Sequence, residues 1–361
     1  MERSGVGSAM RHQASMLRAA GTALVGLWER PDVVQLNTVL PDTPLVALLA
    51  RARGIPVVLY AHSTRQDFEQ SWRGSKWLAP WFEQWLRLVY RCGDVVVTPT
   101  PYSKRIIDGY GLRAPVRVLT NGVDTDFFHG DPDARARFRR RHGLADGDRA
   151  VLSVGHLMVR KGIVEYVSLA RSMPEVTFFW AGSAPEAMMT PDVRAALDDA
   201  PPNLRLLSQI RADEVRDAYA GADLFCFMSH EETQGIVVLE ALASGVPVLV
   251  RDIPVYDGWL PRDAVHRARS VVEFRAAVSA ILDGEAPART ARGRALAEGH
   301  DLRVVAGELC GIHAALVLRE PQPSTTSRAS TNAWMARSRS SRVSVALSCV
   351  RMRALPFGTT G

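Results

Sequence analysis

The chain has 361 residues, of which 47% are apolar; this length and composition allow two globular domains and exclude wholesale disorder. The net charge of +6 does not indicate a nucleic-acid-binding protein. Residues 321–361 hold six arginines and no acidic side chain, which leaves 38 basic and 38 acidic residues in positions 1–320. The four cysteines form no C-x-x-C pair, so neither a zinc site nor a disulfide framework is indicated, and a reducing cytoplasm fits best.

The chain opens with a glycine-containing turn, ERSGVGSAMRHQ, that leads into a helix, and no strand is predicted before it. A doubly wound α/β domain normally places its central first strand at this point. We therefore expect a truncated chain or a misassigned start. No apolar run reaches the length of about 18 residues that a membrane-spanning helix needs, and no signal peptide is visible, which predicts a soluble or peripheral protein.

Short β-branched runs alternate with amphipathic segments through the rest of the chain. Strands that are apolar throughout and alternate with helices indicate parallel sheets covered on both faces. The predicted strands are 33–37, 56–62, 95–100, 116–122, 150–155, 176–182, 204–209, 223–229 and 247–252. The predicted helices are 44–54, 102–110, 162–173, 186–199, 212–221 and 236–244.

A polar, arginine-rich stretch separates two such sets of strands and helices, which predicts an α/β protein with two doubly wound domains. We assign residues 1–124 to a first Rossmann-like domain, 125–149 to an interdomain connection and 150–320 to a second Rossmann-like domain. Residues 321–361 are rich in Ser, Thr and Arg, show little apolar periodicity and are predicted to form a disordered basic tail. An arm that binds a membrane surface or nucleic acid is the alternative for this tail.

The segment EETQGIVVLEALASGVPVLV (231–250) has Glu232 and Glu240 separated by seven residues. A predicted strand ends just before it, and a helix is predicted to start near Gln234 and Gly235. The N-terminus of that helix offers free backbone N–H groups and a positive dipole end, a natural seat for a diphosphate. Glu232 could bind sugar hydroxyls, and Glu240, about 7.5 Å further along the helix, could reach a ribose. Two solvated glutamates around an ordinary helix start would show the same spacing.

The segment VLSVGHLMVRKGIVEYV (151–167) places a loop after Gly155, at the end of a predicted strand, and opens the next helix with Arg160 and Lys161. The chain has three lysines against 41 arginines, so Lys161 stands out from the local composition. Two cations at a helix start would neutralise a departing diphosphate as charge builds up in the transition state. A surface basic pair is the alternative interpretation.

The first half of the chain offers His62 in LYAHSTRQDFEQSW (59–72), at the carboxyl end of a predicted strand, where α/β proteins usually bind ligands. His62 could orient groups or carry a proton there, or be purely structural. The segment 65–91 then holds a group of tryptophans interspersed with cations, namely Trp72, Trp77, Trp81 and Trp85. The last three fall on one helical stripe, which suits a membrane interface but also a helix packed on its own core.

These segments together resemble the family-4 retaining glycosyltransferases, whose GT-B fold has two Rossmann-like domains facing across a cleft. The spacing of Glu232 and Glu240 is similar to the family's glutamate-x-seven-glutamate motif, and ALASGVPVLVRDIPVYDGWL continues as in the family. HSTRQDF and SWRGSKW resemble the bacterial diacylglycerol glucosyltransferases within it. His156 departs from the pattern, since the family usually carries an arginine after the loop glycine; Arg160 could supply the missing charge.

The resemblance implies transfer of glucose from UDP-glucose with retention of configuration and without an obligatory metal or other cofactor. It implies that Arg160, Lys161 and the helix end at Gly235 stabilise the leaving UDP, that Glu232 holds the sugar and Glu240 the ribose, and that His62 lies near the reacting centre. Gly5 and Gly7 resemble the family's glycine-rich loop. The residues expected at the donor are Gly5, Gly7, Gly155, Arg160, Lys161, Glu232, Gln234, Gly235, Ile236 and Glu240.

We therefore expect a cytoplasmic hexosyltransferase that is peripherally bound to the inner face of the cell membrane. The residues expected at the membrane are Trp72, Trp77, Trp81 and Trp85. The expected acceptor is a membrane lipid, diacylglycerol by resemblance, and no nucleic-acid partner is expected. Three alternatives remain open. The acceptor could be a polyprenyl lipid, a phosphoinositide or a polysaccharide; the chain could be a nucleotide-sugar epimerase of the same fold; or it could be a truncated, inactive protein that only binds nucleotide sugar or membrane.

Overall fold

The computed structural model of the protein describes residues 5–69, 74–129, 131–185, 189–208, 211–318 and 342–346. They form two six-stranded sheets, in which every strand pairing is parallel. Every strand and helix predicted above is present, with ends displaced by a few residues. The prediction of two doubly wound α/β domains is therefore confirmed. Within the described residues, no helix is both long and apolar enough to cross a membrane.

The first sheet consists of β1 (Ala23–Leu24), β2 (Val33–Leu36), β3 (Val57–Tyr60), β4 (Val95–Thr98), β5 (Val116–Val118) and β12 (Arg342–Ala346). Their order across the sheet is β1-β12-β2-β3-β4-β5. The helices of this domain are α1 (Gly5–Ala19), α2 (Thr43–Ala52), α3 (Arg65–Glu69), α4 (Ser75–Tyr90) and α5 (Pro101–Asp108). Strands β2, β3 and β4 are buried at every position, because helices cover both faces of the sheet.

The two faces of the first sheet carry different helices. Leu59 packs in one apolar cluster with residues of α2, α4 and α5, whereas its neighbour Val58 packs in another with residues of α1 and α14 (Leu302–Val317), as the two-residue period of a strand requires. The predicted domain boundary assigns α14 to the second domain. Its buried side chains, Val305 and Leu309 among them, pack on the first domain instead, so the chain crosses back after the second domain.

One strand of the first sheet comes from the predicted tail. β12 lies between β1 and β2 and pairs with both, in the place that a first strand before α1 normally takes in this fold. Val343 is buried in the cluster that contains Met16 and Val33, and its carbonyl accepts a hydrogen bond of 3.1 Å from the Val25 N–H. Residues 342–346 are thus an ordered part of the sheet, and the rest of 321–361 lies outside the described residues.

The second sheet has the order β11-β10-β9-β6-β7-β8. Its strands are β6 (Ala150–Val154), β7 (Thr177–Ala181), β8 (Leu204–Leu207), β9 (Leu224–Phe227), β10 (Val248–Arg251) and β11 (His266–Ala268). Its helices are α6 (Thr125–His129), α7 (Ala134–Arg141), α8 (Ile163–Arg171), α9 (Pro191–Asp198), α10 (Ala212–Gly221), α11 (Ile236–Ser244), α12 (Val271–Leu282) and α13 (Thr290–Gly299). Phe138 of α7 packs edge-on against Phe179 of β7 at 5.1 Å between ring centroids, so the predicted connection 125–149 is built into the core of this domain.

Candidate active site

The loops after β6 and β9 carry the two motifs predicted from the sequence, and they lie side by side because β6 and β9 are paired. The first loop contains a short 3-10 turn, Val159–Lys161. Gly162, which follows it, has a φ of +81°, and a Cβ on this residue would lie 2.4 Å from the carbonyl oxygen of Met228. Only glycine allows this backbone conformation and this approach without strain, so Gly162 brings the two loops together at the carboxyl edge of the sheet, where such folds bind ligands.

Lys161 and Glu232 form a buried ion pair between the two loops, with side chains that are 13% and 8% exposed. The Glu232 Oε1 atom accepts hydrogen bonds from Lys161 Nζ and from Ser229 Oγ, the latter at 2.7 Å. Burial lowers the pKa of Lys161, and the adjacent carboxylate only partly offsets this effect. Burial also opposes ionisation of Glu232, but Lys161 and Arg160 together hold the pKa of this carboxyl below its usual value. The two side chains therefore form a buried contact between a basic and an acidic group at the junction of the two loops.

Arg160 links the second domain to the first. Its Nη1 atom donates a hydrogen bond of 2.8 Å to the Glu231 carbonyl and lies 2.8 Å from Oδ1 of Asp67 on α3. His156, at the position where the resemblance leads one to expect an arginine, turns its Nδ1 to the Ser183 carbonyl at 3.0 Å. Arg160 is thus the second cation that lowers the pKa of Glu232. It takes the role that the resemblance would give to an arginine at position 156.

The start of α11 is where the sequence predicts it. Gly235 has a φ of +84° and precedes Ile236, the first residue of the helix; the first N–H groups of a helix lack acceptors within it and attract anions. Gln234 serves another purpose. Its side-chain carbonyl accepts hydrogen bonds from the N–H and Nδ2 of Asn121, at 3.0 and 2.7 Å, and its amide donates to Thr120. The side chain of Gln234 therefore holds the chain segment that leaves the first domain, whereas we expected it at the donor.

Glu240 lies just over one turn after the first residue of α11 and is half-buried. Its Oε2 atom accepts a hydrogen bond of 3.0 Å from the hydroxyl of Tyr219 on α10. Burial raises the pKa of Glu240 to about 7, and Arg11 of α1 is the cation that opposes the rise. The carboxyl is therefore oriented by Tyr219 and ionises near neutral pH. Within the described residues, no group of three His, Cys, Asp or Glu side chains is placed to hold a metal ion.

The loop after β9 also contacts the first domain through residues that were not predicted from any motif. Tyr102 donates a hydrogen bond of 3.0 Å from its hydroxyl to Glu231 Oε1, and Thr100 donates one of 2.9 Å to the Thr233 carbonyl. Burial raises the pKa of Glu231 to about 7. No spacing rule distinguishes Glu231 or Asp67 from other acidic residues, so only the fold reveals that both lie at the contact between the domains.

His62 and the two predicted glycines lie on the first domain. His62 follows β3, is buried, and stacks on Tyr60 at 5.5 Å between ring centroids. Burial lowers the pKa of His62 to about 4, and its Nε2 atom is buried without a hydrogen-bond partner in the described part of the chain. A neutral imidazole can form a hydrogen bond with a ligand group, but at neutral pH it does not carry the second ring proton that a general acid would donate. Gly5 and Gly7 belong to the first turn of α1 and not to a loop.

The tryptophan stripe on α4 is divided between solvent and core. Trp77 and Trp81 are 86% and 77% exposed, whereas Trp85 is half-buried, packs on the first-domain core, and donates a hydrogen bond of 2.7 Å from Nε1 to the Val39 carbonyl. Trp85 is therefore not the exposed contact we expected, because each step of four residues turns the helix by about 40° beyond a full revolution. Trp72 lies outside the described residues.

Two protein-family models match the chain in succession: Glycosyltransferase Family 4 over residues 6–127 and Glycosyl transferases group 1 over residues 134–262. The processive diacylglycerol alpha-glucosyltransferase of Acholeplasma laidlawii is 34% identical over 285 residues, which are 78% of this chain and 85% of that protein. The alpha-galactosylglucosyldiacylglycerol synthase of Streptococcus pneumoniae is 27% identical over 70% of each chain.

Solved structures share the arrangement of the two domains. The Anabaena protein Alr3699/HepE, crystallised in complex with UDP and glucose, matches with a TM-score of 0.67 and 19% identity, over 84% of this chain and 81% of that one. At this level of identity the likeness concerns the fold, and it confirms the predicted GT-B architecture.

Proposed function

The chain belongs to glycosyltransferase family 4, and from this membership we propose that it transfers glucose from UDP-glucose to diacylglycerol with retention of configuration. The observation that carries the proposal is the buried pair of Lys161 and Glu232, beside Arg160 and next to the N-terminus of α11. Relatives whose names describe the glycosylation of diacylglycerol lipids support the choice of acceptor, and the UDP and glucose bound by a protein of the same fold support the choice of donor.

The second domain holds the donor in this proposal. The diphosphate lies at the N-terminus of α11, where Gly235 and Ile236 offer backbone N–H groups. Lys161 and Arg160 lie beside it and stabilise the charge that develops on the leaving UDP. Glu232 accepts hydrogen bonds from the sugar hydroxyls, and Glu240, oriented by Tyr219, accepts them from the ribose.

The first domain receives the acceptor. A lipid hydroxyl attacks the anomeric carbon on the side from which UDP departs; the new C–O bond forms as the bond to the diphosphate breaks, and the hydroxyl proton passes to the departing phosphate oxygen. His62, neutral and with its Nε2 atom free of partners in the described part of the chain, positions the reacting groups by hydrogen bonding. The contacts of Asp67 with Arg160 and of Tyr102 with Glu231 hold the domains together and exclude water, which would otherwise compete as an acceptor.

The lipid acceptor places the enzyme at the membrane surface. Exposed tryptophans beside cations favour the bilayer interface, where an indole ring has one wet and one apolar side. Trp77 and Trp81 of α4 present such rings, with Lys76 next to them. We therefore assign the contact of this helix with the inner face of the cell membrane to these two side chains.

The test is transfer of labelled glucose from UDP-glucose to diacylglycerol in anionic mixed micelles, using the full chain. We expect a monoglucosyl lipid with an α linkage, identified by the anomeric coupling constant of the product. The Glu232→Gln variant should lose most of the activity, whereas Glu298→Gln, at an exposed position of α13, should retain it.

The alternatives make different predictions in the same assay. Product from GDP-mannose or UDP-galactose, but not from UDP-glucose, would change the donor, and a β linkage would exclude retention. Folded protein that binds UDP but gives no product with any lipid or polysaccharide acceptor would support a protein that only binds nucleotide sugar.

A further inference from the structure

Helices α2 and α4 lie side by side on one face of the first sheet. They connect consecutive neighbouring strands and pack into the same apolar cluster, α2 through Ala47 and Ala50, and α4 through Leu86. The hydrogen bond from Trp85 of α4 to the carbonyl of Val39 joins α4 to the loop that precedes α2. The outer surfaces of both helices therefore lie on the same side of the first domain and point away from the sheet.

The outer surface of α2 is as apolar as that of α4. Leu45, Leu48 and Leu49 are 62%, 65% and 47% exposed, at positions where a surface helix normally carries polar residues. The large exposed apolar side chains of α4 are Trp77, Leu78, Trp81 and Leu88. Exposed apolar side chains of this size, grouped on one side of a domain, mark an interaction surface.

The charges on these two helices indicate what kind of surface they meet. Arg51 and Lys76 are exposed, and Arg51 lies 3.6 Å from Asp94. Glu83 is partly buried and accepts hydrogen bonds from Arg65 and Arg87. Among the described residues of α2 and α4, no exposed side chain is acidic. An apolar face with cations and without exposed acids complements a bilayer that contains anionic lipids.

We propose that α2 is the second half of a two-helix membrane-contact surface, the α2–α4 face, which consists of Leu45, Leu48, Leu49, Arg51, Lys76, Trp77, Leu78, Trp81 and Leu88. The inference rests on the proposed transfer to a lipid. Both helices follow the carboxyl ends of their strands, the edge at which the cleft lies, so a bilayer on this face lies next to the cleft. Two helices instead of one also fix the orientation of the domain on the membrane, because contact along a single helix leaves rotation about its axis free.

The experiment measures binding of the full-length protein to vesicles of phosphatidylcholine with and without phosphatidylglycerol, by flotation. The triple variant Leu45→Ser, Leu48→Ser, Leu49→Ser should bind at least about tenfold more weakly than the wild type, since each substitution removes an apolar side chain from the contact with the lipid. The matched control is Val272→Ser, Val304→Ser, Val317→Ser. These exposed valines lie on α12 and α14, away from the α2–α4 face, and their loss should leave binding unchanged.

Transfer activity in detergent micelles separates this inference from the proposed function. A triple leucine variant that transfers glucose in micelles but does not bind vesicles supports both proposals. If this variant binds vesicles as the wild type does, the role of α2 is refuted, whatever the activity; if the wild type makes no glycolipid in micelles, the proposed function fails, and vesicle binding still decides the role of α2. Light scattering without lipid gives the remaining outcome: a wild-type dimer that the leucine variant converts to a monomer would make this face an interface between two copies and overturn the inference.

Discussion

Replacing Glu232 by glutamine tests whether Lys161 and Glu232 act as a charged pair that is buried before the donor binds. The exchange preserves the shape of the side chain and its ability to accept from Ser229, but it leaves Lys161 without its carboxylate in a site where the lysine is 13% exposed. Removal of one partner from a buried ion pair costs about 3–5 kcal/mol. We expect the free energy of unfolding of the variant to fall by about 3 kcal/mol at neutral pH, near the lower end of this range, because the amide oxygen still accepts a hydrogen bond.

The pH dependence of this loss has a defined sign. Burial already lowers the pKa of Lys161, and removal of the Glu232 charge lowers it further. The unfolded chain, in which lysine has a pKa of about 10.4, then binds more protons than the folded variant between the two pKa values, so the stability of the variant rises with pH in this interval. The difference from the wild type should therefore shrink as the pH is raised from neutral towards the pKa of free lysine.

Urea unfolding followed by circular dichroism, without nucleotide and at several pH values, measures both effects. Lys161→Met and the double variant complete a thermodynamic cycle, in which the double variant should lose less than the sum of the single losses. Glu298→Gln serves as the control for removal of an exposed carboxylate. The reasoning is refuted if Glu232→Gln unfolds with the wild-type free energy at every pH, or if its deficit grows as the pH is raised.

Three further predictions concern other parts of the molecule. Glu240→Gln should weaken UDP binding by about 10–100-fold in calorimetry, as expected for a hydrogen bond to a charged group. In the wild type, ionisation of this carboxyl should raise the affinity for UDP as the pH passes about 7, and the variant should lose this rise. A wild-type affinity that does not change with pH would contradict the assignment of Glu240 to the ribose. Val343→Asp places a charge in the core of the first sheet and should lower the thermal midpoint, whereas Val272→Asp, at an exposed position, should not; equal midpoints would show that β12 contributes no stability. Asp67→Asn removes the carboxylate that pairs with Arg160. If Arg160 binds the diphosphate as proposed, UDP should bind several-fold more tightly to this variant; weaker binding would mean that Asp67 holds the arginine in its binding position.

The sequence predicted the fold well because its strands are buried on both faces and therefore appear as unbroken apolar runs between amphipathic helices. The errors concern long-range packing. β12 is a five-residue strand in an arginine-rich segment with little apolar periodicity, and its partners lie more than 300 positions away in the chain. α14 has a clear apolar side, but nothing in its own residues indicates which of the two domains it covers.

In the candidate site, too, the sequence predicted which loops are involved but not the contacts of every side chain. Lys161 and Glu232 were predicted because each belongs to a motif at a strand end, and the fold brings them into contact. Gln234 lies within such a motif, yet its side chain turns towards Asn121, because position in a loop does not determine the direction of a side chain. Trp85 shares the spacing of the exposed tryptophans and still faces the core. Spacing along the chain therefore locates the site but does not assign every side chain within it.

The short helix α3 connects the two halves of the proposed reaction. Asp67 of α3 pairs with Arg160 beside the donor site, whereas Arg65 pairs with Glu83 of α4 at 3.1 Å and Phe68 stacks on Phe82 of α4 at 4.1 Å between ring centroids. The helix that presents Trp77 and Trp81 is thus one short segment away from Arg160, the cation that is proposed to bind the diphosphate. Because packed side chains move as units and not independently, a displacement of α4 relative to the first sheet has to move α3 or break these contacts. The residues proposed to meet the lipid and those proposed to bind the donor are therefore mechanically connected through α3.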